Sequence, residues 1–100
     1  LCLVARHGGK VLRFPIVQGE ARIGSSAEND IVLPFQGVSR EHAVLSRNGS
    51  EVFLSDLGSK NGLLLGRESV PRVPLVPGIT IALGSVALCV EEDSTSDFDI

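Results

Sequence analysis

Three polar clusters hold the residues of this chain best suited to chemistry: Gly24-Ser25-Ser26, Val38-Ser39-Arg40-Glu41-His42 and Ser59-Lys60-Asn61-Gly62. Short apolar runs separate them, so each reads as a loop, and loops gathered at one end of a scaffold can share a surface. The chemistry they suit is anion binding. A phosphate monoester carries nearly two negative charges and three strong acceptor oxygens, so its reader needs a cation and several short, rigid donors. Ser39 offers a hydroxyl, Arg40 a charge with a forked donor set, and the N–H groups of tight turns an anion nest.

A second chemistry must be weighed against it. His42 lies three residues after Ser39, with Asp56 available as an orienting carboxylate, the ingredients of a Ser-His hydrolase. Such a pair must meet side chain to side chain beside an oxyanion site, and no nucleophile elbow is present. His42 reads better as a brace holding its loop through both ring nitrogens. Gly24, Gly62 and Asn29-Asp30 read first as turn chemistry, and Asn61-Gly62 is a turn signature in its own right. Arg40, taken alone, is compatible with an ordinary surface arginine.

The elements that must position these loops are strands. Helical spacing is sustained nowhere, while short runs rich in Val, Ile and Leu recur between Gly, Asn, Ser and Pro. Residues 1–6 and 11–17 flank a His7-Gly8-Gly9-Lys10 turn, and Pro15 marks the second strand as an edge or a bulge. Strands are expected at 21–24 and 31–33 around a polar segment, and at 42–47 and 52–55 around Asn48-Gly49, the strongest hairpin signal. Leu63-Leu64-Leu65 suits a short buried strand. Pro71, Pro74 and Pro77 predict a connection poor in ladder bonds. Residues 79–83 and 86–90 form a last hairpin around Gly84-Ser85. About ten to eleven short, mainly antiparallel strands make an all-β chain, a two-sheet sandwich.

One hundred residues suffice for a single domain with a real core, and 43% apolar residues suit one. The expected division is a domain over residues 1–91 and an acidic tail or linker start over 92–100, cut from a longer protein. The formal charge of −3 argues against a general nucleic-acid binder. Without Glu91, Glu92, Asp93, Asp97 and Asp99 the body carries about +2, which leaves room for local basic patches. Cys2 and Cys89 lack zinc-ligand spacing and read as buried thiols; a disulfide needs the first and last strands to be neighbours. No apolar run reaches membrane-span length and no targeting signal opens the chain, which favours an intracellular setting, cytoplasmic or nuclear. Neither a metal nor a cofactor is expected.

In order and spacing, Ser39-Arg40-x-His42 and Asn61-Gly62, with Asn29-Asp30-Ile31, Ser55-Asp56-Leu57 and Pro77-Gly78, resemble the forkhead-associated (FHA) domain over roughly residues 21–90. The resemblance implies a non-catalytic interaction module that reads phosphothreonine peptides and is fused to an effector domain. It places Ser39 and Arg40 on the phosphate and Asn61 on the peptide main chain. Lys60, near Ser59, would lie by the groove for residues following the phosphothreonine. Gly24, His42 and Gly62 would support the site.

The resemblance also exposes a departure, because Ser25 stands where the family usually has Arg. Arg22 cannot simply replace it, since strand alternation turns it to the opposite face. Weaker phosphopeptide reading through Arg40 and Lys60, a changed acidic ligand, and phosphate-independent docking by a degenerate module all remain open. Leu63, Leu65 and Ile79 are further departures, expected to exchange loop polarity for packing. Thr95, in its acidic surroundings, is a candidate phosphorylation site through which one molecule's tail would dock into another.

Overall fold

Each strand of this chain has an apolar face to bury, and two sheets stacked face to face bury both at once. The computed structural model describes residues 1–92. Among these the strands are β1 (Cys2–His7), β2 (Lys10–Pro15), β3 (Gly19–Gly24), β4 (Ile31–Val32), β5 (Ala43–Asn48), β6 (Glu51–Asp56), β7 (Leu63–Leu65), β8 (Glu68–Val70), β9 (Arg72–Pro74), β10 (Thr80–Leu83) and β11 (Val86–Glu91). One sheet runs β2-β1-β11-β10-β7-β8 and the other β4-β3-β5-β6-β9. All pairings are antiparallel except β3 with β4. The acidic tail, including Thr95, lies outside the described residues apart from the exposed Glu92.

Period-two alternation builds the core. On β11, Val86, Leu88 and Val90 are buried while Ala87, Cys89 and Glu91 face outward. They meet Leu3, Ala5, Ile81, Leu83 and Leu63 from the same sheet and Ile23, Leu45, Leu54 and Val73 from the other. Full burial of each such side chain stabilises by about 1.5–3 kcal/mol, enough in sum to offset the ordering of short strands.

The expected edge position of Pro15 is observed, since β2 borders its sheet. The β5–β6 turn is displaced by one residue from expectation. Asn48 pairs with Glu51, so the two-residue loop is Gly49-Ser50. Gly49 sits at φ +64°, and the Gln18 side-chain amide both accepts from its N–H and donates to its C=O. The proline-rich connection contains two three-residue strands, β8 and β9, that the sequence reading did not anticipate. Pro71 marks the corner where the chain changes sheets, and its carbonyl accepts from Asp56 N–H. Both strands are sheet edges, where proline's missing donor costs little. In β7 only Leu63 is fully buried, whereas Leu65 is exposed beside the next turn.

Cys2 and Cys89 do lie on neighbouring strands, but Cys2 faces Glu91 and Cys89 faces Val4. That diagonal relation corresponds to about 7–8 Å, beyond normal disulfide geometry, and both thiols are free. Above them Glu91 accepts from Arg13 at 2.8 Å and Arg6 at 3.4 Å. The hydrogen bond from Arg13, and secondarily that from Arg6, holds the Glu91 carboxyl below its ordinary pKa. A lowered folded-state pKa contributes stability above the unfolded value and loses it as pH falls through the folded one. Glu91→Gln should therefore flatten the acid limb of melting temperature against pH, the two proteins converging at low pH. Parallel limbs would mean that this exposed pair adds no pH dependence.

Candidate functional site

The site end begins with an unusually close approach of two backbones. At Gly24, the last residue of β3, an added Cβ would stand 1.9 Å from the Arg40 carbonyl oxygen, so only glycine admits the β4–β5 loop there. Ser25 N–H donates to Ser39 C=O at 3.0 Å and Ser26 N–H to Arg40 C=O at 3.3 Å. Asn29, buried, donates through Nδ2 to the carbonyls of Arg40 and Ser26. The turn residue Asn29 is thus a clasp between two loops.

His42 is 0% exposed and joins the second loop to the third. Ser39 N–H donates to Nδ1 at 3.1 Å, and Nε2 lies 2.9 Å from Gly62 C=O. An amide N–H only donates and a carbonyl only accepts, so the imidazole here is neutral with its proton on Nε2. The Ser-His hydrolase reading fails on this geometry. Neither ring nitrogen meets the Ser39 hydroxyl or Asp56, whose carboxylate instead accepts from Gly58 N–H, Ser59 N–H and the Ser59 hydroxyl. Ser59 Oγ accepts in turn from Gly62 N–H at 2.9 Å, completing a self-supported loop.

Ser39, Lys60 and Asn61 come together with Gln36, Gly37 and Val38 around a groove of about 400 Å³. Ser39 Oγ accepts from Lys60 N–H at 3.1 Å, and its own proton has no acceptor among the described residues. Asn61 Nδ2 donates to Gly37 C=O at 2.8 Å. Gln36 C=O accepts from both the N–H and the hydroxyl of Ser85, in the β10–β11 turn. Gly37 at φ +87° packs against Gly84, where a side chain on either would collide with backbone.

Arg40 opens elsewhere, onto an adjoining hollow of about 530 Å³ lined by Ser26, Glu28 and Glu41. Ser25 lines neither concavity. Its N–H is committed to Ser39, while its hydroxyl makes no hydrogen bond among the described residues. Arg22, set aside above as a substitute, pairs with Glu41 at 3.7 Å. Arg40 and Lys60 have no carboxylate within 4.0 Å among the described residues.

The expected nest of N–H groups is largely engaged already, because those of Ser25, Ser26, Ser39, Gly58, Ser59, Lys60 and Gly62 bond internally. What the loops leave open to a ligand is chiefly side-chain groups. Gln36, Gly37, Gly84 and Ser85 were missed as site residues. Their turn-forming types were visible, but a contact across 49 residues of sequence has no local signature.

A family model described as "FHA domain" matches residues 21–84. FhaB of Mycobacterium tuberculosis, an FHA domain-containing protein, is 35% identical over 77 residues, covering 76% of this chain and 50% of its own. The chain spans about half the length of that curated relative. An FHA domain solved in work on phosphothreonine-dependent FHA domain interactions superposes with TM-score 0.75 at 26% identity, covering 93% of this chain and 98% of that one. Mycobacterium tuberculosis EmbR in complex with a low-affinity phosphopeptide gives TM-score 0.75 at 26% identity, over 95% of this chain and 26% of that one.

His42→Ala would leave the Ser39 N–H and Gly62 C=O unpaired in a buried setting, at about 1–3 kcal/mol each. Urea denaturation should show a loss of about 2–5 kcal/mol, a large part of a typical domain's stability. A change within about 0.5 kcal/mol, the size of an ordinary surface substitution, would mean the imidazole does not join the loops.

Proposed function

This chain belongs to the FHA domain family, and from that premise we propose that it is a non-catalytic interaction module that reads phosphothreonine in a partner protein or peptide. It works as a regulatory part of a longer intracellular protein that carries an effector domain. The observation that carries the reading is the groove where the unpaired Ser39 proton, the Lys60 side chain and the Asn61 amide converge on loops fixed by His42.

In this reading the Ser39 hydroxyl donates to a phosphate oxygen and Lys60 supplies the nearest positive charge. Arg40 adds a second cation from the adjoining hollow, and the Ser25 hydroxyl adds a neutral donor. Asn61 keeps one N–H on Gly37 and has its carbonyl oxygen and second N–H left for the ligand's main chain. Gly24, His42 and Gly62 act by placement alone.

Ser25 sets the strength. A charge-assisted hydrogen bond contributes about 1.5–3 kcal/mol, so serine in place of arginine weakens binding by roughly ten- to a hundredfold. What remains rests on mobile side-chain charges and is screened by salt.

Titration of a degenerate phosphothreonine library and its unphosphorylated twin tests this. Wild type should bind only the phosphorylated library. Ser39→Ala and Lys60→Ala should each weaken that binding by about tenfold, and Ser25→Arg should strengthen it by about tenfold or more. Equal binding of both libraries, or of neither, overturns the reading in favour of phosphate-independent docking.

A further inference from the structure

The chain contains two Asn-Gly pairs, Asn48-Gly49 and Asn61-Gly62. Asparagine before glycine is prone to close on itself, because glycine has no Cβ to shield its backbone nitrogen from the neighbouring carboxamide. The two pairs share an arrangement. Gly49 N–H donates to Gln18 Oε1 at 2.9 Å, and Gly62 N–H donates to Ser59 Oγ at 2.9 Å. In each, the nitrogen that would attack is engaged by a side-chain oxygen from outside the pair.

At Asn61 the second reactant is held too. Its carboxamide donates through Nδ2 to Gly37 C=O at 2.8 Å, on a different loop, and Gly62 C=O accepts from His42 Nε2 at 2.9 Å. The Ser59 hydroxyl gives its proton to Asp56, a carboxylate that only accepts, so its oxygen is left to accept from Gly62 N–H. Asn61 itself is exposed to water. Its survival as an amide therefore depends on hydrogen bonds rather than on burial.

We propose that Asn61-Gly62 is a latent deamidation site kept closed by the Ser59 hydroxyl, so that opening of this loop converts the groove's amide irreversibly to a carboxylate. In the open loop the Gly62 nitrogen loses its proton to water and bonds to Asn61 Cγ. The Cγ–Nδ2 bond breaks, and Nδ2 takes up a proton from water and leaves as ammonia. Water then adds to either carbonyl of the cyclic imide, giving aspartate or isoaspartate; nothing is oxidised or reduced. The consequence for the groove, which rests on the phosphothreonine reading given above, is loss of the ligand. A carboxylate cannot donate to Gly37 C=O, and it brings a negative charge into the groove that Lys60 also lines.

The experiment incubates the full 100-residue chain at mildly alkaline pH and follows each Asn-Gly pair by peptide mapping and mass spectrometry, beside the same chain unfolded in guanidinium chloride. Both amides in the folded wild type should react at least about tenfold more slowly than in the unfolded chain. Ser59→Ala should deamidate at Asn61 about tenfold faster than wild type with Asn48 unchanged, and Gln18→Ala should do the reverse. Ser59→Thr, which keeps the hydroxyl, should stay protected. Equal rates at Asn61 in the folded and unfolded chains overturn the inference. So does an unchanged or slower rate in Ser59→Ala, the slower case meaning that Asp56 and Ser59 draw the proton from Gly62 rather than hold it. Equal acceleration of both pairs in Ser59→Ala overturns it as well, since Ser59 then guards the whole fold and not this pair. Binding of the phosphothreonine library should fall in step with the fraction of Asn61 converted, and binding that persists after full conversion overturns the stated consequence. The mass measurement needs no ligand, so a chain that never binds the library overturns the reading of the groove and leaves the deamidation site standing.

Discussion

The ligand-facing end depends on one buried neutral imidazole. His42 has no access to water, so each ring nitrogen needs a protein partner, and both partners are main-chain groups on separate loops. Ser39 and the Asn61-Gly62 turn are thereby fixed relative to each other by backbone rather than by flexible side chains. Opening either loop would leave a buried polar group unpaired. The site is therefore held in shape before any ligand arrives, which lowers the ordering cost of binding.

Around this imidazole, close backbone contact does what side chains cannot. Gly24 lets the Arg40 carbonyl lie against the end of β3, and Gly37 meets Gly84 across the two sheets. These glycines differ from those of the hairpin turns. Gly8 and Gly49 have positive φ but open space where a Cβ would go, so local conformation alone demands glycine there. At Gly24 the backbone angle is ordinary and the demand comes wholly from a neighbour distant in sequence. A strand ending in glycine thus helps to determine where a loop sixteen residues later can sit.

That difference explains what was legible in the sequence. The hairpins were legible because alternation and turn glycines are local signals; β1 with β2 and β10 with β11 lie close to the expected ranges. The β5–β6 turn was misplaced by one residue because Asn-Gly is only a preference, while the observed turn at Gly49 is gripped by Gln18 from another loop. β8 and β9 were hidden because three-residue edge strands tolerate proline and leave little pattern. In the site, Ser39, Lys60 and Asn61 stood out as polar loop residues, and the brace role of His42 followed from its unsuitability for catalysis. The orientation of Arg40 into a separate hollow did not follow, since a loop side chain's direction is set by neighbours such as Glu28 and Glu41. Nor did the contact of Ser85 with Gln36.

The same hydrogen bonds that make the loops rigid also determine what the site has left to offer. With so many turn N–H groups joined to neighbouring loops, the proposed reading shifts recognition from fixed backbone dipoles to the Ser39 hydroxyl, the Asn61 amide and two cations on long, flexible stems. Ordering those stems costs entropy, and their charges are screened by salt. A central arginine forked onto the phosphate would concentrate affinity in one residue; Ser25 removes that concentration without disturbing the scaffold, because its structural contact is made by its backbone N–H. Affinity and shape are thus separable here. Under the proposed reading the loops are held as firmly as in a strong binder while the contact itself is weak and quickly reversed, which would suit a regulatory module whose partner's phosphate is added and removed.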